Sequence, residues 1–309
     1  MGKIGIVTDS VTYLTPEQID ELQVEVVSLV INFGDQSWPE ASVSDYRDFY
    51  EQLRQVSYLP TTSQPSMGDF LQTYDRLAGK VSSIISIHLS AGVSGTVQVA
   101  RSAARMMPGV DISVVDSGAA AIGVYMMVDA AARAVAAGWE KERVLQALEY
   151  IKENRTLLFM PDSLEYLKRG GRIGGAAAMV GTLLQVKPIL YFNPGKNGTI
   201  DVYEKIRTKE KGLQRILAEL DRAYRQSPDL KTGVVHVGAE AEGKALVQRV
   251  RELYPELSPD LCPVGPVVGA HIGPGTLGIC CYPLTSDLKE IIKYKQLDCG
   301  ASHAMGNSS

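Results

Sequence analysis

Apolar residues recur along the first half of the chain in two alternating rhythms. Short continuous runs at 4–8, 24–33, 84–89 and 110–115 have the length and β-branched content of strands. Between them, apolar positions fall at helical spacing: Tyr46, Phe49, Tyr50 and Leu53; Phe70, Tyr74 and Leu77; Val97, Ala100, Ala104 and Met107. Thr15 followed by Pro16 opens a further helix with a cap and a first-turn proline. Residues 119–137 and 140–154 carry two more helices. The run 84–89 is broken only by Ser86 and His88, as expected of a strand buried on both faces. Strands alternating with helices predict a mainly parallel sheet with helices on both faces, and ligands of such sheets bind beyond the strands' carboxyl ends.

The rhythm changes near residue 157. Strands are predicted at 157–160, 186–192, 199–207, 232–237 and 277–282, with a hairpin loop at 193–198. Helices are predicted at 176–184, 209–225 and 241–253, and Asp162 stands as the cap of another through Leu164 and Leu167. The expected fold class is α/β with two domains: residues 1–156 as an α/β domain, with a small polar flap around 33–42, and residues 157–295 as a smaller α+β domain. Residues 296–309 read as a mobile tail. No internal repeat is visible.

Composition narrows the class. The chain has 309 residues, 45% of them hydrophobic, enough for a large core. Lys and Arg total 31 against 35 for Asp and Glu, a net charge of −4 that argues against nucleic acid or a membrane surface as partner. The N-terminus lacks a signal-peptide layout, and the longest lipid-like stretch, 118–128, is too short to span a bilayer. Cys262, Cys280, Cys281 and Cys299 show no C-x-x-C spacing and read as buried or idle thiols in a reducing compartment. A cytoplasmic protein without stable membrane insertion is expected.

Candidate chemistry gathers after the strand at 84–89. Ser90 to Gly92 turns the chain, Ser94 stands as a helix N-cap, and Gly95 and Thr96 follow. That arrangement is either an ordinary serine-capped turn or an anion site, where a hydroxyl and backbone N–H groups meet the positive end of a helix. Asp9 with Ser10 and Asp116 with Ser117 end strands at the same sheet edge, where helix capping is the favoured reading. No Gly-Lys step has the spacing of a phosphate-binding P-loop. The run Gly273-Pro274-Gly275-Thr276-Leu277-Gly278 leads into a strand, not the helix of a dinucleotide site. Around Ser94 the second glycine comes one place too early for a nucleophile elbow. The histidines lack metal-site spacing: His88 reads as a core residue, while His271, in a glycine-rich stretch, either packs or touches a ligand.

Five stretches together resemble the DegV family: Val7-Thr8-Asp9-Ser10; Thr62-Ser63-Gln64-Pro65-Ser66; Leu89 through Ser94-Gly95-Thr96; Leu164 through Arg169-Gly170-Gly171-Arg172-Ile173; and His271 through Gly275. One departure is Ala91-Gly92-Val93 before Ser94, and the tail from about Lys295 lies outside the resemblance. Members of that family include the fatty-acid-binding subunits of bacterial fatty acid kinase. The resemblance implies one long-chain fatty acid bound between two domains, its tail buried in the first. It also implies a separate ATP-dependent kinase subunit that phosphorylates the bound carboxylate. By motif position, Thr62, Ser94 and Gly95 would bind the carboxylate, with His271 and Arg172 close to it. No catalytic residue, metal or other cofactor is implied.

Burying some fifteen methylenes at about 0.8 kcal/mol each contributes roughly 12 kcal/mol gross, against an association cost of roughly 4–15 kcal/mol. Each hydrogen bond to the charged head adds only about 1.5–3 kcal/mol, so the tail sets affinity and the head sets orientation. Two other readings stand beside this one: an acyl hydrolase using Ser94 and His271, with Asp9 or Asp116 as third member, and a lipid sensor with no kinase. Lys205, Arg207, Lys209 and Lys211 form either a kinase-docking surface or a solvated face.

Overall fold

The computed structural model describes residues 3–43, 45–55, 58–179 and 186–292. The predicted tail from residue 296, Cys299, His303 and most of the predicted helix at 176–184 lie outside them. What is described of that helix is a 3-10 segment, Gly174–Met179.

Four strands form a parallel sheet in the order β2-β1-β6-β7: β1 (Ile4–Asp9), β2 (Val24–Val27), β6 (Ser83–His88) and β7 (Ile112–Asp116). The strand period divides its core cleanly. Val7 and Ile84 face α3 (Met67–Ala78) and α4 (Thr96–Arg105), while Ile6, Ile85 and Ile87 face α5 (Ile122–Ala136). Helices therefore cover both faces, as the continuous apolar runs require. Helix α1 (Pro16–Leu22) begins at the expected cap, with Thr15 and Gln18 closing a reciprocal capping box.

The predicted strand at 24–33 is two strands. It breaks at Ser28-Leu29, and β3 (Val30–Phe33) leaves the parallel sheet to pair with β4 (Gln36–Pro39) and with β5 (Thr61–Ser63) in a three-stranded antiparallel sheet. The polar flap is thus a hairpin, and the stretch that holds Thr62 and Ser63 supplies the sheet's third strand. Helix α2 (Tyr46–Gln55) follows the hairpin.

Helix α6 (Lys141–Asn154) leads into a six-stranded mixed sheet, ordered β10-β9-β8-β13-β11-β12. Its strands are β8 (Thr156–Met160), β9 (Lys187–Asn193), β10 (Thr199–Ile206), β11 (Leu230–His236), β12 (Asp260–Pro263) and β13 (Leu277–Pro283). Helices α8 (Lys209–Gln226) and α9 (Glu240–Leu253) pack on one face. Helix α7 (Glu165–Arg169) starts after Leu164. Asp162 does not cap it: the Ser163 hydroxyl accepts from the Glu165 N–H, and Asp162 lies near Lys187 and Lys209. Strand β12, α10 (Pro266–Ile272) and α11 (Ser286–Ile292) were not predicted.

Helix α5 joins the two sheets. Twelve of its fifteen residues are buried, and apart from the Asp129–Arg133 ion pair it is apolar, because it meets β1 and β6 on one side and β11 on the other. A Cβ at Gly233 of β11 would lie 2.4 Å from Ile122 Cδ1, so the glycine lets the helix approach that closely. Ile6, Ile85, Val124, Val235 and Tyr282 consequently belong to one continuous core.

Candidate functional site

The turn from β6 into α4 is held from three sides. Asp9 Oδ2 accepts from the Leu89 N–H at 3.0 Å, and Asp116 Oδ1 accepts from the N–H groups of Ala91 (3.2 Å) and Gly118 (2.9 Å). Capping therefore explains only part of the two Asp-Ser pairs. Asp9 also accepts from Val11 over the short turn Ser10–Thr12, but Asp116 ties one loop to another and α5 starts without a side-chain cap. From the third side comes the β9–β10 hairpin, whose Gly198 carbonyl accepts from Ser90 Oγ at 2.9 Å. A Cβ at Gly92 would lie 2.4 Å from the Asn197 carbonyl oxygen, so only glycine permits that contact.

Ser94 lies one residue before the N-cap, which is Gly95. The expected cap is displaced by one position, yet the Ser94 hydroxyl still accepts from a helical N–H, that of Thr96 (3.3 Å), and shares a 2.8 Å hydrogen bond with Thr96 Oγ1. Gly95 packs on Gln64, whose side-chain oxygen would lie 2.3 Å from a Cβ there. That contact joins the Ser94 turn to the Thr62 strand.

Thr62 is paired with Ile31 across β5 and β3, and its Oγ1 lies 2.7 Å from His271 Nε2. The glycine-rich stretch that holds His271 begins as a helix, and His271 stands on the last turn of α10. Gly265, Gly269 and Gly273 recur every four residues there. Each stands where a Cβ would strike a tyrosine ring: Tyr13, Tyr50 and Tyr166 respectively. Gly269 lies within the helix and Gly265 and Gly273 cap its two ends, so the stretch before His271 is a short, closely packed helix.

Burial and the nearby Arg172 charge push the His271 pKa down to about 4, so the ring is neutral at pH 7. Its Nδ1 is buried without a hydrogen-bond partner among the described residues. An orphaned lone pair costs less than an orphaned N–H, which favours Nε2–H donating to Thr62. The Thr62 hydroxyl proton is then left for another acceptor.

Arg172 donates from Nε to the Val93 carbonyl (3.2 Å) and from Nη1 to the Gly170 carbonyl (2.7 Å). Among the described residues it has no carboxylate partner. Two carbonyls fix the guanidinium without neutralising it.

Thr62, Ser94, Arg172 and His271 all line one cavity of about 400 Å³. The rest of its wall is mostly apolar and comes from both halves of the chain: Leu29 and Ile122 from the first, Leu157, Phe159, Val235 and Val267 from the second. The expectation that a tail would be buried in the first domain does not match this lining, since the six-stranded sheet provides much of the wall.

The remaining candidates fall elsewhere. His88 is wholly buried between Asp9 (3.0 Å) and Ser86 (2.6 Å), the satisfied core residue expected of it. Lys209 is engaged by Glu242 at 2.8 Å, whereas Lys205, Arg207 and Lys211 are exposed. Among the described residues no disulfide is formed, and burial pushes the Cys280 thiol up to about 12. No group of three His, Cys, Asp or Glu among the described residues is placed to hold a metal ion, and none of their helices is long and apolar enough to cross a membrane.

The whole of this architecture has known counterparts. Residues 3–284 match the family model described as uncharacterised protein, DegV family. A DegV domain-containing protein of Listeria monocytogenes is 37% identical over 278 residues, which cover 90% of this chain and 97% of the relative. The crystal structure of DegV, a fatty acid binding protein from Bacillus subtilis, is 34% identical and superposes with a TM-score of 0.85, over 92% of this chain and all of that one. A DegV family protein from Thermus thermophilus, whose structure concerns its fatty acid binding, is 33% identical with a TM-score of 0.84, over 91% of this chain and all of its own.

Proposed function

Because the chain belongs to the DegV family, we propose that its cavity binds a long-chain fatty acid, and that the protein presents the fatty acid's carboxylate to a separate kinase. The carboxylate lies among the Thr62 and Ser94 hydroxyls, the Gly95 N–H, Arg172 and His271. The observation that carries this reading is Arg172. It is a fixed cation without an acidic partner among the described residues, at the wall of a mostly apolar cavity. An anion with an apolar body satisfies both features, since charge-assisted bonds to a guanidinium are among the strong ones. A cavity of about 400 Å³ lies in the roughly 300–1,000 Å³ range of small-molecule sites.

In the kinase step, a carboxylate oxygen attacks the γ-phosphorus of ATP, ADP leaves, and the product is an acyl phosphate. Positioning of the nucleophile is this protein's contribution. No metal or cofactor of its own is required, and the need for ATP puts the protein in the cytoplasm. The exposed Lys205 and Arg207 are the proposed contacts for the kinase. Acyl hydrolysis is disfavoured by the hydrogen bonds: Ser94 is bonded to Thr96, His271 to Thr62, and Asp9 and Asp116 to backbone N–H groups elsewhere. A hydrolase needs its base bonded to the nucleophile and oriented by a third group.

The test has two arms. Native mass spectrometry of the purified protein should show a co-purified or added long-chain fatty acid at one per chain; bare protein after lipid addition overturns the binding reading. Incubation with ATP and a bacterial fatty acid kinase should give an acyl phosphate, trapped by hydroxylamine. Bound lipid that no such kinase phosphorylates leaves a sensor or store in place of a presenting subunit.

A further inference from the structure

The hairpin of β3 and β4 is fastened at its base by a single buried carboxylate. Glu40, 2% exposed, donates its N–H to the Leu29 carbonyl at 2.8 Å, so these two residues close the hairpin. Ser10 Oγ accepts from the Leu29 N–H at 3.1 Å and donates to Glu40 Oε2 at 2.6 Å. The other oxygen, Oε1, accepts from the Val267 N–H at 2.7 Å, in the first turn of α10. Tyr13, buried beside the same carboxylate, accepts from the Val268 N–H at 3.2 Å. The hairpin carries β5, and β5 carries Thr62; α10 ends in His271. We propose that Glu40 is a positioning residue for the head-group site: by holding the hairpin with one oxygen and α10 with the other, it sets the contact between Thr62 and His271.

The chemistry of the spot supports a specific role over simple packing. Asp9 on β1, Tyr13 beyond the short turn, and Tyr46 and Tyr50 on α2 are the titratable groups around the carboxylate, and none is a cation. Burial among them lifts the Glu40 pKa to about 7. An apolar side chain would pack there without that cost. What the carboxylate alone supplies is two acceptor oxygens facing donors on two separate elements, 227 residues apart in sequence for the longer link. Fixing a site this way matters because displacement of binding groups by about 1 Å is enough to spoil it.

The proposal rests on the fatty-acid reading, and its test separates the two. Delipidated wild type, Glu40→Gln and Ser10→Ala are titrated by calorimetry with dodecanoate and with 1-dodecanol, which share a tail and differ in the head. Wild type should prefer the acid; if it does not, the carboxylate reading fails and the proposal falls with it. Given that preference, Glu40→Gln should weaken dodecanoate by about tenfold while changing 1-dodecanol by no more than about twofold. Ser10→Ala, which removes only the bridging hydroxyl, should move the ratio in the same direction and carries the test if Glu40→Gln does not fold. Equal loss for acid and alcohol, or an unchanged ratio, overturns the positioning role.

Discussion

Residue by residue, the site is built from groups held slightly short of satisfaction. His271 has one ring nitrogen engaged and the other orphaned, and Arg172 is tied to carbonyls without being neutralised. The first has a measurable signature. With a folded pKa of about 4 against about 6.5 in the unfolded chain, His271 favours the neutral ring in the native state. Its contribution to stability is complete above pH 6.5 and is lost as the pH falls towards 4, by at most roughly 3 kcal/mol. His236, pushed down to about 4 by burial, acts in the same window, while Glu40, lifted to about 7, acts against both, so His271→Asn should lose less stability than wild type on acidification. Melting of the ligand-free protein at pH 7.5 and pH 5 checks this. A variant with the full wild-type drop would show that the ring is not held neutral.

Among the elements, what the sequence displayed depended on how each is buried. The parallel strands were legible because burial on both faces demands continuous apolar runs, and His88 was legible as core because it alternates inside one. The break at Ser28-Leu29 was not, since β2 and β3 are equally apolar and nothing local marks a change of sheet. Helix α10 was hidden by its own packing, since Gly269 within it and Gly265 and Gly273 at its ends stand where tyrosine rings press against it. Four of the proposed head-group residues were readable from motif position and do line one cavity, but Glu40 was not, because its partners are distant in sequence. The close approach of the β9–β10 hairpin to Gly92 gives a direct prediction. Gly92→Ala places a methyl 2.4 Å from the Asn197 carbonyl and 2.6 Å from the Thr199 nitrogen, both backbone atoms that cannot swing aside. It should cost about 1–3 kcal/mol and weaken fatty-acid binding by moving the Ser94 turn. Gly109→Ala, with nothing within 4 Å of the new methyl, should stay within about 0.5 kcal/mol of wild type. Chemical denaturation and titration of both variants check the contrast; two similar losses would argue against the clamp.

For the molecule as a whole, the cavity and the core are shared property. The cavity's walls come from the six-stranded sheet, the small sheet and the segments that follow the parallel strands, and α5 is buried between the two large sheets. Synthesis, by contrast, is vectorial. When residue 156 has left the ribosome, β1, β6 and α5 are complete, but β11, which covers the other side of that helix, is still to be translated. The nascent chain must therefore wait with an oily helix half uncovered, in the state most exposed to aggregation and to capture by chaperones. A fragment of residues 1–156 should bind a hydrophobic dye strongly and come out of solution unless residues 157–309 are supplied in trans; a fragment that is monomeric and dye-silent would show that α5 finds other cover. The helix that joins the two large sheets thus carries a debt incurred at the ribosome, discharged only when the last strands arrive.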